Sequence, residues 1–331
     1  MARRYITQYT DQDKVDDIFL AAEKQLRSNR NGNLYLQVRL SDRSGSVTAM
    51  MWNVGDNIYQ SIENGDYVRV QATAQLYNGA MQFILNRIER AEDKLVDEND
   101  FITVAAAEVA GLTKRLEDML RGLRNQHLRA LAECFLADAD FMAKFAAAPA
   151  GVKNHHAYKG GLLQHVVSLM ETCVVVAPRY PEVDADLLLI GAFLHDSAKI
   201  DEMTFDRELG YSDEGQLIGH IVMAVGYVEE KAKEAARKTG RDFPQDLLLR
   251  IKHMIVSHHG EYEYGSPKLP MTLEAIALHY LDNLDAKLFS VGQIIKDDAN
   301  TDSVWTPYVA ALGRKFYKGE AAGSPRAGGG R

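Results

Sequence analysis

The sequence predicts a multidomain α and β protein, a small N-terminal β-barrel followed by an all-α domain. Three observations support this. Between residues 34 and 88, apolar and polar side chains alternate at the period of half-buried strands. From Thr113 onward that period gives way to the 3.6-residue spacing of amphipathic helices. Histidines and aspartates then recur on the apolar faces of several of those helices, where a lone polar group is costly to bury.

Taken in order, residues 11–28 read as a short amphipathic helix. Leu34, Leu36, Val38 and Leu40 alternate with Tyr35, Gln37 and Arg39 in a first strand, and SDRSG (41–45) makes a turn into a second strand over 46–52. Val68, Val70, Ala72 and Ala74 alternate with Tyr67, Arg69, Gln71 and Thr73 in a third. Asn78-Gly79 is a hairpin signal, and 80–88 returns as a fourth strand. Four or five short strands suit a small barrel, which is assigned to residues 1–90. Residues 91–150 read as a connector, acidic and alanine-rich at first, then three helices ended at Pro149-Ala-Gly151. A second domain over 151–315 holds helices at about 160–177, 184–198, 215–238, 244–258 and 271–290, with Pro244 at a helix start and Gly260 at a helix stop. The Gly-rich end, 316–331, reads as a disordered tail.

Composition narrows the function classes. At 46% hydrophobic and 25% charged residues the chain is an ordinary globular one. No continuous apolar run approaches the ~20 residues that span a bilayer, so no membrane association is expected. MARRYITQYTDQDK lacks the apolar segment of a secretory signal, and Cys134 and Cys173 sit in apolar helical context as reduced core residues; a cytoplasmic location is the expectation. The net charge of -8 argues against broad coating of nucleic acid. Residues 1–90 carry 11 Lys+Arg against 10 Asp+Glu, the remainder 27 against 36, so the near-neutral first part is where a polyanion is better tolerated. The acidic second part suits divalent cations.

Five segments carry the unusual polar groups: GGLLQHV, AFLHDSAK, LIGHIV, VSHHGEYEYG and HYLDNLDAK. His165 falls in the stripe Leu162, Val166, Leu169 and Cys173, and His220 lies beside Leu217, Ile221, Ala224 and Val228. Asp282 and Asp285 lie within Leu278, Leu281 and Leu288. One such histidine is commonly a hydrogen-bonded core residue. Three helices with the same anomaly, together with His195-Asp196 and His258-His259 at helix ends, point to a shared partner. Imidazole and carboxylate donors without cysteine suit Mn, Fe, Co, Ni or Zn rather than calcium or a structural zinc site. Asp196 has two oxygens and can bridge two ions, and a two-ion centre suits phosphoryl displacement.

The order H…HD…H…H(H)…D resembles the HD-domain metal-dependent phosphohydrolases, an all-helical superfamily acting mainly on phosphate esters. The resemblance implies His165, His195, Asp196 and Asp282 as the minimal ligand set. It adds His220 and the pair His258 and His259 in two-metal members. Which of His258 and His259 binds metal is left open. Lys199 matches the HDxxK form and is implied near the substrate phosphate, making His195, Asp196 and Lys199 the catalytic candidates. LDNLDAK is similar to the family's ADxxDxK element, which makes Asp285 a residue that orients a ligand. With an OB-like barrel before it, and with NHHAYKGGLLQH and SHHGEYEYGSPKLP, the chain resembles the YhaM family of 3′–5′ exoribonucleases from about residue 15 to 315. That resemblance implies two divalent ions, Mn2+ first with Co2+, Fe2+ or Ni2+ as alternatives. It also implies single-stranded RNA, or single-stranded DNA, as partner, and nucleoside monophosphates as products.

OB-like barrels stack bases on aromatics beside basic groups. Tyr35, Arg39, Trp52 and Arg69 are the nucleic-acid-binding candidates on the barrel, with Tyr67, Tyr77, Arg27, Arg30, Arg43 and Arg87 behind them. In the helical domain Lys159 is the candidate phosphate contact, and His155, His156, Tyr158, Tyr262 and Tyr264 flank the ligand segments. His127, His253 and His279 read as structural. Two rivals remain: an HD phosphohydrolase of small nucleotides, and a non-catalytic single-strand-binding protein. The helical surface also leaves room for a homo-oligomer.

Overall fold

The computed structural model describes residues 3–29, 32–77, 79–97, 100–101, 106–151, 158–205, 210–298, 300 and 303–319. Two compact units emerge, Met1–Ile102 with Ser290–Arg331, and Thr103–Phe289. These boundaries differ from those the sequence suggested at 90, 150 and 315.

In the first unit, strands β1 (Lys14–Ser28), β2 (Leu34–Asp42), β3 (Gly45–Trp52), β4 (Tyr67–Tyr77) and β5 (Ala80–Arg90) close into a barrel in the order β1-β2-β3-β5-β4. Neighbours are antiparallel except β3 and β5, which run parallel through Ala49 and Phe83. The alternation legible in the sequence becomes inside and outside: Leu36, Val38, Leu40, Val47, Ala49, Val68, Val70, Ala72 and Ala74 fill the barrel around Phe19 and Phe83. A short helix α1 (Asp56–Gln60) links β3 to β4.

The expected helix over 11–28 is instead β1. Its residues Lys14–Leu20 pair with β4, and Leu20–Ser28 pair with β2, so both edges are hydrogen-bonded. That ladder outweighs the local helical spacing of its apolar residues. A bulge between Ala22 and Gln25, where Glu23 adopts φ 51°, lets one long strand serve both neighbours. Asn78 lies outside the described residues. Gly79, at φ 82°, precedes Ala80, which pairs with Tyr77.

The second unit is helical: α2 (Ala106–Arg121), α3 (Gln126–Leu136), α4 (Ala139–Ala147), α5 (Gly161–Val176), α6 (Ala185–Leu194), α7 (Lys199–Glu202), α8 (Asp213–Leu217), α9 (His220–Thr239) and α10 (Gln245–Ser257). α11 (Leu273–Asp297) begins in it, and β6 (Met203–Thr204) pairs with β7 (Gly210–Tyr211). The helices expected as a connector are part of this core. Phe135 and Phe145 meet Phe193 of α6 edge-on at 5.7 and 5.6 Å, and Leu112, Leu116 and Leu128 share the cluster with Leu162 and Leu169. Asn125, Asp138, Asp184 and Ser212 cap α3, α4, α6 and α8 with their side chains. The helix expected over 215–238 is broken at Gly219, whose φ of 79° turns the chain between α8 and α9.

Gly161–Arg179 is, by length and composition, long and apolar enough to cross a membrane, although the sequence shows no unbroken apolar run there. More than half of it is buried inside this unit, as for a helix that is apolar nearly all round. Cys134 and Cys173 are buried free thiols. Of the residues singled out in the sequence, Arg30, His155, His156 and the tail from 320 onward lie outside the described residues.

Candidate metal centre and nucleic-acid face

Five imidazoles come together from four helices. His165 sits one turn into α5, His195 caps the end of α6, His220 opens α9, and His258 and His259 follow α10. Each ring gives Nδ1 to an oxygen: His165 to Asp285 Oδ2 (2.8 Å), His195 to Ala192 O (2.9 Å), His220 to Glu202 Oε1 (2.8 Å), His258 to Ile255 O (2.7 Å) and His259 to Tyr264 O (2.8 Å). Carbonyls and carboxylates only accept, so Nδ1 donates in every case. A ring held this way carries its lone pair on Nε2 whenever it is neutral.

Four of those Nε2 atoms face two aspartates, and the His259 ring stands beside His220 and His258. His165 Nε2 is 3.2 Å and His195 Nε2 3.9 Å from Asp282 Oδ1. Asp196 stands between two groups of rings: its Oδ2 is 3.3 Å from His195 Nε2, and its Oδ1 is 3.3 Å from His220 Nε2 and 3.5 Å from His258 Nε2. His165, His195 and Asp282 bring ligand atoms within 4.8 Å of one another; so do His195, Asp196 and His258, and so do His220, His258 and His259. Every metal-ligand candidate from the sequence thus lies in one cluster.

The donor atoms fit cations. Nε2 of His195, His220 and His258 and Oδ1 of Asp196 are buried without a hydrogen-bond partner among the described residues. Orphaned polar atoms cost free energy unless a ligand satisfies them. Among the described residues Asp196, Glu202, Asp282 and Asp285 gather here against a single ammonium, that of Lys199. Burial alone would raise the Asp196 carboxyl, but Lys199 and His195 hold it well below the usual range. Burial would likewise lower His165, yet Asp282 and Asp285 push it up to about 9. A proton on His165 and a cation beside it are two ways of relieving one repulsion. Burial, reinforced by His258, drops His259 to about 4, which keeps its lone pair available.

Lys199 is more occupied than the sequence suggested. Its Nζ donates to Asp196 Oδ2 (2.6 Å) and Ala150 O (2.7 Å), leaving one of three N–H groups without a partner among the described residues. Two contributors were missed. Glu202 takes the ring and backbone N–H of His220 on one oxygen, and Ser168 Oγ donates to Asp285 Oδ1 (2.7 Å). The only sequence hints were spacings: Glu202 lies three residues after Lys199, and Ser168 one helical turn after His165. His279 gives Nδ1 to His258 O (2.9 Å) and fixes that turn, while His253 accepts from Met271 N and His127 packs edge-on to Phe243. Tyr262 and Tyr264 are exposed on the turn after the histidine pair.

The barrel candidates divide. Tyr35 and Trp52 are cross-strand partners on the outward side of β2 and β3, ring centroids 5.1 Å apart, and Arg27 pairs with Tyr35 from β1. Arg39 shares that side four residues along, bonded to Ser46 and Glu23. Arg69 is elsewhere, on β4 against Asp16 of β1. Tyr67 packs on Phe101, Arg43 over Tyr5, and Arg87 pairs with Glu89. Lys159 is exposed just before α5, in the helical unit.

Two family models match the two parts of the chain. Residues 162–287 match the family model of the HD domain. Residues 21–91 match that of an OB-fold nucleic acid binding domain, the tRNA anti-codon type. Among solved structures, the second OB-fold domain of replication protein A from Methanococcus maripaludis, determined by solution NMR, is 17% identical over 28% of this chain and 98% of that chain, with a TM-score of 0.22. The chain therefore joins an OB-fold domain to an HD domain, in that order.

Proposed function

We propose that this chain is a metal-dependent phosphodiesterase of single-stranded nucleic acid, working as a 3′–5′ exoribonuclease that releases nucleoside monophosphates. One observation carries the reading: five imidazoles, each fixed by an acceptor at Nδ1, gather in one cluster, in which the Nε2 atoms of His165, His195, His220 and His258 converge on Asp196 and Asp282 and His259 joins His220 and His258. His165, His195 and Asp282 would hold one divalent ion, His220, His258 and His259 a second, and Asp196 would be shared. When bound, such ions supply Lewis acidity toward a phosphodiester and lower the pKa of water; the donor set suits Mn2+, with Co2+, Fe2+ or Ni2+ as alternatives.

The chain's own residues prepare the site. Asp285, Glu202 and three backbone carbonyls hold the rings in one tautomer and orientation. Lys199 holds the Asp196 carboxylate and keeps one N–H for a phosphoryl oxygen. No side-chain nucleophile is required: Ser197, beside Asp196, gives its hydroxyl to Leu194 O (2.8 Å). Tyr35 and Trp52 offer a stacking surface on the barrel for the strand. RNA preference and 3′ polarity rest on the resemblance to the YhaM family.

The test is an assay on 5′-labelled single-stranded RNA with Mn2+, Mg2+ or EDTA, with single-stranded DNA in parallel. A ladder shortening from the 3′ end only with metal supports the reading. RNA left intact under every condition overturns it. Hydrolysis of a cyclic dinucleotide that survives loss of residues 1–90 would favour the small-nucleotide rival.

A further inference from the structure

We propose that the C-terminal hairpin, residues 303–319, is a second single-strand-binding element, in which Trp305 and Tyr317 stack bases and Lys315 and Arg314 contact phosphates. This rests on the reading that the chain acts on single-stranded nucleic acid, but on different residues from those already placed. From the sequence, 303–315 falls at the end of the helical domain and 316–319 in the tail expected to be disordered; instead Phe316, Tyr317 and Lys318 are paired with Thr306, Trp305 and Val304.

The hairpin is a built element. Trp305 and Tyr317 form an antiparallel bridge, with Thr306 N–H donating to Phe316 O (2.9 Å) and Lys318 N–H to Val304 O (2.8 Å). Alternation sends Thr306 and Lys318 to one face and Trp305 and Tyr317 to the other. The first face is anchored: Thr306 is buried, and Lys318 Nζ meets the buried Asp298 carboxylate at 2.6 Å. The other face leaves Trp305 49% and Tyr317 55% exposed, their ring centroids 5.2 Å apart. A fold that buries a threonine and draws a lysine onto a buried carboxylate while holding a tryptophan half in water reverses the usual order.

Charge indicates the occupant. Arg314 and Lys315 are exposed at the hairpin's end, and neither is ion-paired among the described residues. Lys315 lies two residues from Tyr317 and so shares its face by the strand period. Paired aromatics beside unpaired cations suit a polyanion with flat bases better than a second apolar surface. The hairpin belongs to the same unit as the barrel. Its Pro307 borders the turn after β4, where a Cβ on Gly79 would come within 3.3 Å of the proline ring, and the exposed Tyr77 ends β4 there. A strand long enough to leave the β2–β3 face would find this second platform on the same unit.

The chain has two tryptophans, so Trp52→Phe leaves Trp305 as sole reporter. Full-length Trp52→Phe protein in EDTA is titrated with a fluorescein-labelled 20-nucleotide oligouridylate, reading anisotropy for binding. Unlabelled strand is used in parallel for tryptophan emission. Quenching of Trp305 that saturates together with the anisotropy supports the proposal; unchanged emission at saturation overturns it. Wild-type protein that binds no strand at all would instead sink the proposed function. As a second arm, Trp305→Ala should weaken 20-mer affinity about tenfold, from the loss of one stacked base. Lys315→Glu, which disturbs no packing, should flatten the salt dependence of binding. Unaltered affinity in both variants, or a change confined to self-association in sedimentation, counts against the hairpin as a strand site.

Discussion

Glu202 Oε1 accepts both the ring Nδ1–H of His220, at 2.8 Å, and its backbone N–H, at 3.0 Å. One carboxylate oxygen thus sets where α9 begins, which way its first side chain points and which ring nitrogen carries the proton. Burial would raise Glu202, yet the contacts with His220 lower it, so it is ionised at neutral pH. Glu202→Ala should weaken metal affinity by about 10–100-fold. Glu202→Gln, which keeps an acceptor oxygen, should lose less. Calorimetric Mn2+ titration of the two variants checks the order; equal losses would argue against an orienting role.

The ion pair of Lys199 and Asp196 makes a different claim, about the metal-free protein. Lys199 is raised by Asp196 despite burial, and the Asp196 side chain is only 4% exposed. Lys199→Met strands a buried carboxylate and should cost about 3 kcal/mol of metal-free stability. Cations facing the same carboxylate should restore part of it. Urea unfolding in EDTA and in Mn2+ measures both; an unchanged midpoint in EDTA would contradict the pairing.

Metal loading should also move protons. The folded-state value of His165, about 9, lies above its ordinary 6.5. Its proton therefore stabilises the metal-free chain below pH 6.5, and that contribution is lost as pH rises through about 9. Occupying Nε2 expels the same proton. Mn2+ titrations at pH 7.5 in buffers of different ionisation enthalpy should show about one proton released per chain, fading toward pH 10. A buffer-independent heat at pH 7.5 would be the contrary result.

Backbone conformation supports the histidine pair. Gly260 has φ 82°, and a Cβ there would lie 2.0 Å from the His279 ring that holds the His258 carbonyl. Gly260→Ala should destabilise the chain by about 2 kcal/mol or more and weaken metal binding together with it. Thermal unfolding and Mn2+ affinity of the variant test this, and wild-type values in both would refute it.

What was legible in the sequence followed from local chemistry. Strands β2 to β5 showed because one face of each is inside the barrel and the other in water, so the pattern survives in one dimension. β1 was misread because Val15, Ile18, Phe19, Ala22 and Leu26 fall at helical spacing, and only its pairing with two distant strands decides otherwise. The ligand candidates showed because imidazoles and aspartates stand out against apolar helix faces. Glu202 and Ser168 did not, being ordinary polar residues whose partners His220 and Asp285 lie 18 and 117 positions away. The barrel residues were identified one by one, yet only pairing across β2 and β3 brings Tyr35 to Trp52 and leaves Arg69 with Asp16.

The most direct test is the metal content of the purified chain after equilibrium dialysis against Mn2+, for wild type and for Asp196→Ala, which loses the carboxylate shared by both groups of rings. Two ions per wild-type chain, with fewer and more weakly held ions in the variant, is the expected result. A wild-type chain that retains no divalent ion, or a variant that retains two as tightly, would contradict a two-metal centre at these residues.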